Sequence, residues 1–152
     1  MMLLLLCAPL GADPRNPGRN GKAVYKKANC VGCHKWHGGG GGGYGGVALS
    51  LRATRLDAAS LALVVRCGRA GTSMPYHDRT AYVRENRDCY NVTKADLGDL
   101  APPRAHYFLR AAEVDAVVEY VIEHMQGKGV PDHSDCVAFW GEDAKRCRIM
   151  AQ

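Results

Sequence analysis

The sequence lacks a long apolar run outside residues 1–12, and this absence excludes a transmembrane helix from the mature chain. Residues 1–12 are apolar but too short to span a bilayer, and they end in small residues before the polar residues 13–20. This arrangement predicts a signal peptide whose usual basic start is missing, with a poorly ordered apolar tail as the alternative. We therefore expect export across the inner membrane to the periplasm.

The sequence also lacks a convincing alternation of apolar and polar residues, so no half-buried strand is predicted. No internal repeat is visible, and 152 residues suit one domain with one core. The formal charge of +5 over 152 residues is a much lower density of positive charge than a nucleic-acid binder has. It favours acidic protein partners instead. The expected fold class is all-α.

Three segments carry helix signals. Residues 21–29 contain no helix breaker after their first glycine. Residues 58–67 lie between Asp57, a good N-cap, and Gly68, a good C-cap. Residues 111–126 repeat valine and methionine at helical spacing and are followed by glycine. These segments are the predicted helices of the fold.

The segment Cys30-Val31-Gly32-Cys33-His34 carries the chemistry. Two thiols on one short turn can add to the two vinyl groups of a haem, and the adjacent imidazole is then held beneath the iron. A zinc site would need a second Cys-x-x-Cys pair, and a thioredoxin-like redox pair would need a βαβ surrounding; the sequence offers neither. The motif occurs once, so one covalently attached haem c is predicted.

With this motif, residues 21–127 resemble a class I cytochrome c, in which helices pack around one covalently bound haem. The resemblance implies that His34 is the proximal ligand and that Met74, within Ser73-Met74-Pro75, is the distal ligand. Met74 lies in a loop of glycine, small polar residues and proline, and it belongs to no apolar stripe. An iron with both axial sites filled implies an electron carrier and not an enzyme.

Three histidines are alternative distal ligands: His37, His77 and His106. His77 is the strongest rival, because it shares the loop of Met74. We expect all three to be solvated loop histidines. A displaced or labile Met74 would instead make the protein a haem sensor or a peroxidase.

The same resemblance implies that the first and last helices cross at a glycine and an aromatic residue, roles that Gly21, Tyr25 and Tyr120 match. The proline that commonly follows the haem histidine is absent. We expect a backbone carbonyl near residues 45–48, at the end of a glycine-rich loop, to orient His34 instead.

The expected organisation is a signal peptide over residues 1–12 and a cytochrome c domain over residues 13–130. That domain contains an insertion at about residues 76–103, and residues 131–152 form a C-terminal extension.

Four cysteines remain outside the leader and the haem motif, and in an exported protein they suggest two disulfides. Proximity along the chain pairs Cys67 with Cys89, which would tie the insertion to the preceding helix. It pairs Cys136 with Cys147, which would close the extension.

Redox proteins are the expected partners. Residues 74–79, with Cys89-Tyr90, are similar to periplasmic cytochromes that accept electrons from quinoprotein (PQQ) dehydrogenases. The resemblance implies such a dehydrogenase as donor and a terminal oxidase or another cytochrome as acceptor; a haem-bearing subunit of an oxidoreductase complex is the alternative. Basic residues near the motif could ring the haem edge and steer acidic partners. They are Lys22, Lys26, Lys27, Lys35, Arg66 and Arg69.

Overall fold

The computed structural model describes residues 20–42, 48–83 and 86–151. Within them the all-α prediction is confirmed, since the only β geometry is an isolated pairing of Tyr76 with Arg104. The predicted signal peptide lies outside the described residues. The α-helices are α1 (Gly21–Lys27), α2 (Cys30–His34), α3 (Ala58–Cys67), α4 (Lys94–Leu97), α5 (Ala111–His124), α6 (His133–Trp140) and α7 (Lys145–Arg148), and Gly98–Leu100 and Ile149–Ala151 are 3-10 turns.

Helix α3 has the predicted bounds because its caps are local. The Asp57 side chain accepts a hydrogen bond from the backbone N–H of Ser60 at 2.8 Å. Gly68 follows with a φ of +67°, a conformation in which a side chain would be strained. These two residues define the ends of the helix whatever packs against it.

Two helices end earlier than predicted. Helix α1 ends at Lys27, because Asn29 takes a left-handed φ of +59° and starts α2 in a new direction. Helix α5 ends at His124, because Met125 leaves the helical conformation at a φ of −127°. At its other end the Glu113 carboxylate accepts the Arg110 backbone N–H at 2.9 Å, which compensates for a poor N-cap.

The crossing of α1 and α5 is the one expected from the resemblance. A Cβ at Gly21 would overlap the carbonyl oxygen of Ala116, so only glycine allows the two backbones to approach this closely. The rings of Tyr25 and Tyr120 pack 5.8 Å apart beside it. This contact anchors α1, and through it the haem motif, to the main core. The buried core includes Val24, Tyr25, Leu61, Val117, Val121, Met125 and Phe139.

The C-terminal extension is part of this core. Phe139 of α6 is only 3% exposed and lies edge-on to Tyr25. The last carbonyls of α6 are capped from α1, because Lys22 donates to Ala138 O at 2.8 Å and Lys26 donates to Phe139 O at 3.0 Å. A disulfide joins Cys136 to Cys147, as expected from their proximity along the chain.

The insertion forms a second buried cluster around the disulfide between Cys67 and Cys89, the other expected pair. Ala81 and Tyr82 are buried against it. The insertion is thereby packed on the end of α3 that leads to Met74.

None of the helices in the described part of the chain is both long enough and apolar enough to cross a membrane.

Candidate functional site

The two motif cysteines lie one helical turn apart on α2, and both are free thiols. Asn29, directly before them, turns the chain out of α1. Burial raises the pKa of the Cys30 thiol to about 12, so this side chain is a neutral thiol at neutral pH. The structure therefore presents two cysteine side chains, neither of them in a disulfide, one turn apart on a short helix.

The His34 ring is oriented by a backbone carbonyl, because its Nδ1 lies 2.9 Å from Leu49 O. A carbonyl can only accept, so Nδ1 carries the proton and Nε2 keeps its lone pair for a metal. Burial lowers the pKa of His34, which favours this neutral form. The expectation of a backbone carbonyl near residues 45–48 is confirmed, and the carbonyl belongs to the next residue, Leu49.

The glycine-rich loop explains why Leu49 provides this carbonyl. Gly38 O accepts the backbone N–H of Leu51 at 2.7 Å, and the Gly41 N–H donates to Ala48 O at 2.9 Å. A Cβ at Gly40 would collide with Ala48 O. The absence of side chains lets the two segments lie against each other, and this close approach places the Leu49 carbonyl beside His34.

Met74 lies in a loop that is held by its own backbone. Its carbonyl accepts the Arg69 N–H at 3.2 Å, and its N–H donates to the Thr72 hydroxyl at 3.2 Å. The Met74 side chain is half-buried and belongs to neither buried cluster of the described residues, whereas Met125 is fully packed in the main core. The Met74 side chain is thus not part of either cluster, and ligation by Met74 stays a prediction.

The rival histidines differ from one another. His77 is 3% exposed, and its Nδ1 lies 2.9 Å from Tyr107 O. The expectation that His77 is a solvated loop residue was therefore wrong, because a carbonyl thirty residues further along the chain buries and orients it. His37 is half-buried and accepts the Gly39 N–H at Nδ1, so it is not simply solvated either. His106 is exposed, as expected.

Four of the six basic residues that could ring the haem edge contact other parts of the protein. Besides the two lysines that cap α6, Lys27 pairs with the buried Glu113 at 3.0 Å and Arg66 pairs with Asp78 at 3.0 Å. Lys35 and Arg69 are exposed. Four of the six therefore have internal contacts, although Lys26 and Lys27 are also exposed, and the steering of acidic partners by these residues stays a prediction.

Sequence reasoning missed Arg52. This side chain is 8% exposed and donates to His37 O and Lys128 O, each at 3.1 Å, and to Gly129 O. It also pairs with Asp135 at 3.0 Å. Arg52 thus ties the extension to the loop that orients His34. Nothing in its local sequence distinguishes it from a solvated arginine. Except for His37, its partners lie 76 to 83 residues further along the chain.

Comparisons with known proteins give one match. A family model described as "Cytochrome c" matches residues 18–124. Neither the curated proteins nor the solved structures that were searched provide a match. The matched range includes the motif cysteines, His34 and Met74.

Proposed function

This chain belongs to the cytochrome c family, and on that premise we propose that it is a periplasmic carrier of single electrons whose haem iron is ligated by His34 and Met74. Membership of the family establishes one covalently bound haem c and a haem-based role in electron transfer. The ligand pair, the compartment and the partners are the finer parts of the proposal.

The residues of the motif fit a haem. Cys30 and Cys33 are free thiols one turn apart, the spacing that two thioether bonds to the vinyl groups require. His34, next in the chain, has an unprotonated Nε2 available for the iron. The bound haem supplies the one-electron exchange.

The orientation of His34 carries the proposal. The Leu49 carbonyl holds the ring in one tautomer and strengthens it as a donor, as partners in the second coordination sphere do at metal sites. Met74, which belongs to neither buried cluster of the described residues, is the side chain that we assign to the opposite axial position. With both positions filled, the protein leaves no open site for a substrate, and the His/Met pair favours a higher reduction potential than two histidines.

The compartment and the partners are proposed from the disulfides, from the apolar residues 1–12, from the similarity of residues 74–79 and from exposed basic residues. Two disulfides suit an oxidising compartment, and the apolar residues 1–12 suit a leader. The similarity of residues 74–79 favours a quinoprotein dehydrogenase as donor, with an oxidase or cytochrome as acceptor. Of the predicted basic residues, Lys26, Lys27, Lys35 and Arg69 are exposed, and we expect an acidic partner to contact them.

The test is the absorption spectrum of the oxidised holoprotein. We expect a far-red charge-transfer band from methionine to iron that survives added cyanide. Met74→Ala should abolish the band and open the iron to cyanide, while Met125→Leu, at the buried core methionine, should leave the band intact. A wild-type protein without the band that binds cyanide readily would overturn the carrier assignment and favour a sensor or peroxidase.

A further inference from the structure

The insertion supplies hydrogen-bond donors to the last carbonyls of α3. A helix leaves its last carbonyls without partners inside the helix, and here they are satisfied from residues further along the chain. The His77 N–H lies 3.2 Å from Val65 O and 3.0 Å from Arg66 O. The Asp78 N–H also donates to Arg66 O at 3.0 Å. The backbone just beyond Met74 is therefore hydrogen-bonded to α3.

Two tyrosines of the insertion satisfy the next two carbonyls. The Tyr82 hydroxyl donates to Cys67 O at 2.9 Å, and the Tyr90 hydroxyl donates to Gly68 O at 2.8 Å. Both tyrosines have left-handed backbones, with φ of +57° and +58°, a conformation that is uncommon for a residue with a side chain. The disulfide from Cys67 to Cys89 holds the insertion where these conformations can persist.

The two carbonyls belong to the residues on which the Met74 loop rests. A Cβ on Gly68 would lie 2.7 Å from Met74 O and 2.9 Å from the carbonyl carbon of Pro75. The next residue, Arg69, donates its N–H to Met74 O at 3.2 Å. Any movement of the backbone at Gly68 is thus transmitted directly to the backbone of Met74.

We propose that Tyr82 and Tyr90 are positioning residues that hold Met74 on the haem iron and resist its replacement by external ligands. The inference rests on the proposed ligation by Met74. The Tyr82 hydroxyl holds the carbonyl of Cys67 and the Tyr90 hydroxyl holds the carbonyl of Gly68, the glycine against which the Met74 and Pro75 backbones lie. The insertion, longer than a minimal carrier needs, then serves to make the distal ligand hard to displace.

The experiment compares Tyr82→Phe, Tyr90→Phe and the double variant with Gln126→Leu, as oxidised holoproteins. Gln126 is the control, because its half-buried amide also donates to backbone carbonyls, Thr54 O at 3.1 Å and Leu56 O at 2.9 Å, but these precede α3, at the end of that helix away from Met74. Three quantities are measured: imidazole affinity, the far-red band, and hydrogen exchange of the Arg69 amide. Thermal unfolding of each variant reports the loss of overall stability.

We expect imidazole affinity to rise about fivefold in Tyr82→Phe and in Tyr90→Phe, and about twentyfold in the double variant, since one net hydrogen bond is lost with each hydroxyl. Exchange of the Arg69 amide should accelerate in step. Gln126→Leu should lose comparable stability without either change.

If the Tyr82 and Tyr90 variants bind imidazole no more tightly than the control, and the far-red band is present, the inference is overturned and the proposed carrier function stands. A wild-type spectrum without the band would overturn ligation by Met74, and the inference with it.

Discussion

Glu113 makes the stability of the protein depend on pH, and this dependence can be worked out from its contacts. The carboxylate is 2% exposed, and it accepts Lys27 Nζ at 3.0 Å on one oxygen. Its other oxygen accepts the Arg110 N–H at 2.9 Å and Nε at 3.1 Å. Burial alone would raise the pKa of Glu113, but these hydrogen bonds outweigh it and lower the pKa from 4.5 to about 2.

A folded-state pKa below the unfolded value means that the carboxylate stabilises the fold above about pH 4.5 and that this contribution is lost as the pH falls towards 2. At about 1.4 kcal/mol for each pH unit, the difference sets a ceiling of about 3 kcal/mol. The side chains of Lys27 and Arg110 are 43% and 78% exposed, so solvent weakens both pairs. We therefore expect about 1–2 kcal/mol.

The assay is denaturant unfolding of the holoprotein, followed by far-ultraviolet circular dichroism from pH 6 to pH 3. Glu113→Gln should be less stable than wild type by about 1–2 kcal/mol at pH 6, and the gap should narrow as the pH falls. Glu119→Gln, at an exposed position of the same helix, is the control and should follow wild type throughout. A gap that is constant with pH, or no gap at all, would refute the reasoning.

Two further predictions concern the contacts that hold the site. Gly21→Ala should lower the thermal midpoint of unfolding and cost about 1–3 kcal/mol, because the new Cβ overlaps Ala116 O; an unchanged midpoint would contradict the α1–α5 crossing. Arg52→Met should cost about 3 kcal/mol, because it leaves Asp135 and several carbonyls without their donor. It should also shift the reduction potential in a potentiometric titration, because the loop of Leu49 loosens; lost stability at an unchanged potential would limit Arg52 to a structural role.

The features that were predicted well depend on residues close together in the chain. Helix α3 has its predicted bounds because Asp57 and Gly68 cap it from adjacent positions. The two disulfides join cysteines only 22 and 11 residues apart, so proximity was enough to select these pairs. The α1–α5 crossing required the resemblance, since its partners lie almost a hundred residues apart.

The features that were missed depend on distant partners. His77 was expected to be solvated, but the Tyr107 carbonyl and the α3 carbonyls bury it. Nothing in the sequence indicated that Lys22 and Lys26 cap a helix whose carbonyls follow them by 116 and 113 residues. A solvated lysine and a capping lysine look the same in sequence, because local spacing contains no information about which helix end will lie nearby.

The proposed attachment residues and the proposed proximal ligand could be predicted from five consecutive residues, because covalent geometry keeps Cys30, Cys33 and His34 on one turn in any fold that forms α2. The tertiary structure chose the carbonyl that orients His34, the distant partners of the buried Arg52 and Glu113, and the tyrosines that end α3 beside Met74. These cited contacts join residues 15 to 86 positions apart and form only when apolar burial brings the helices together. The order of residues along the chain can therefore predict the chemistry of the site. The contacts that hold the site residues in place become visible only in the tertiary structure.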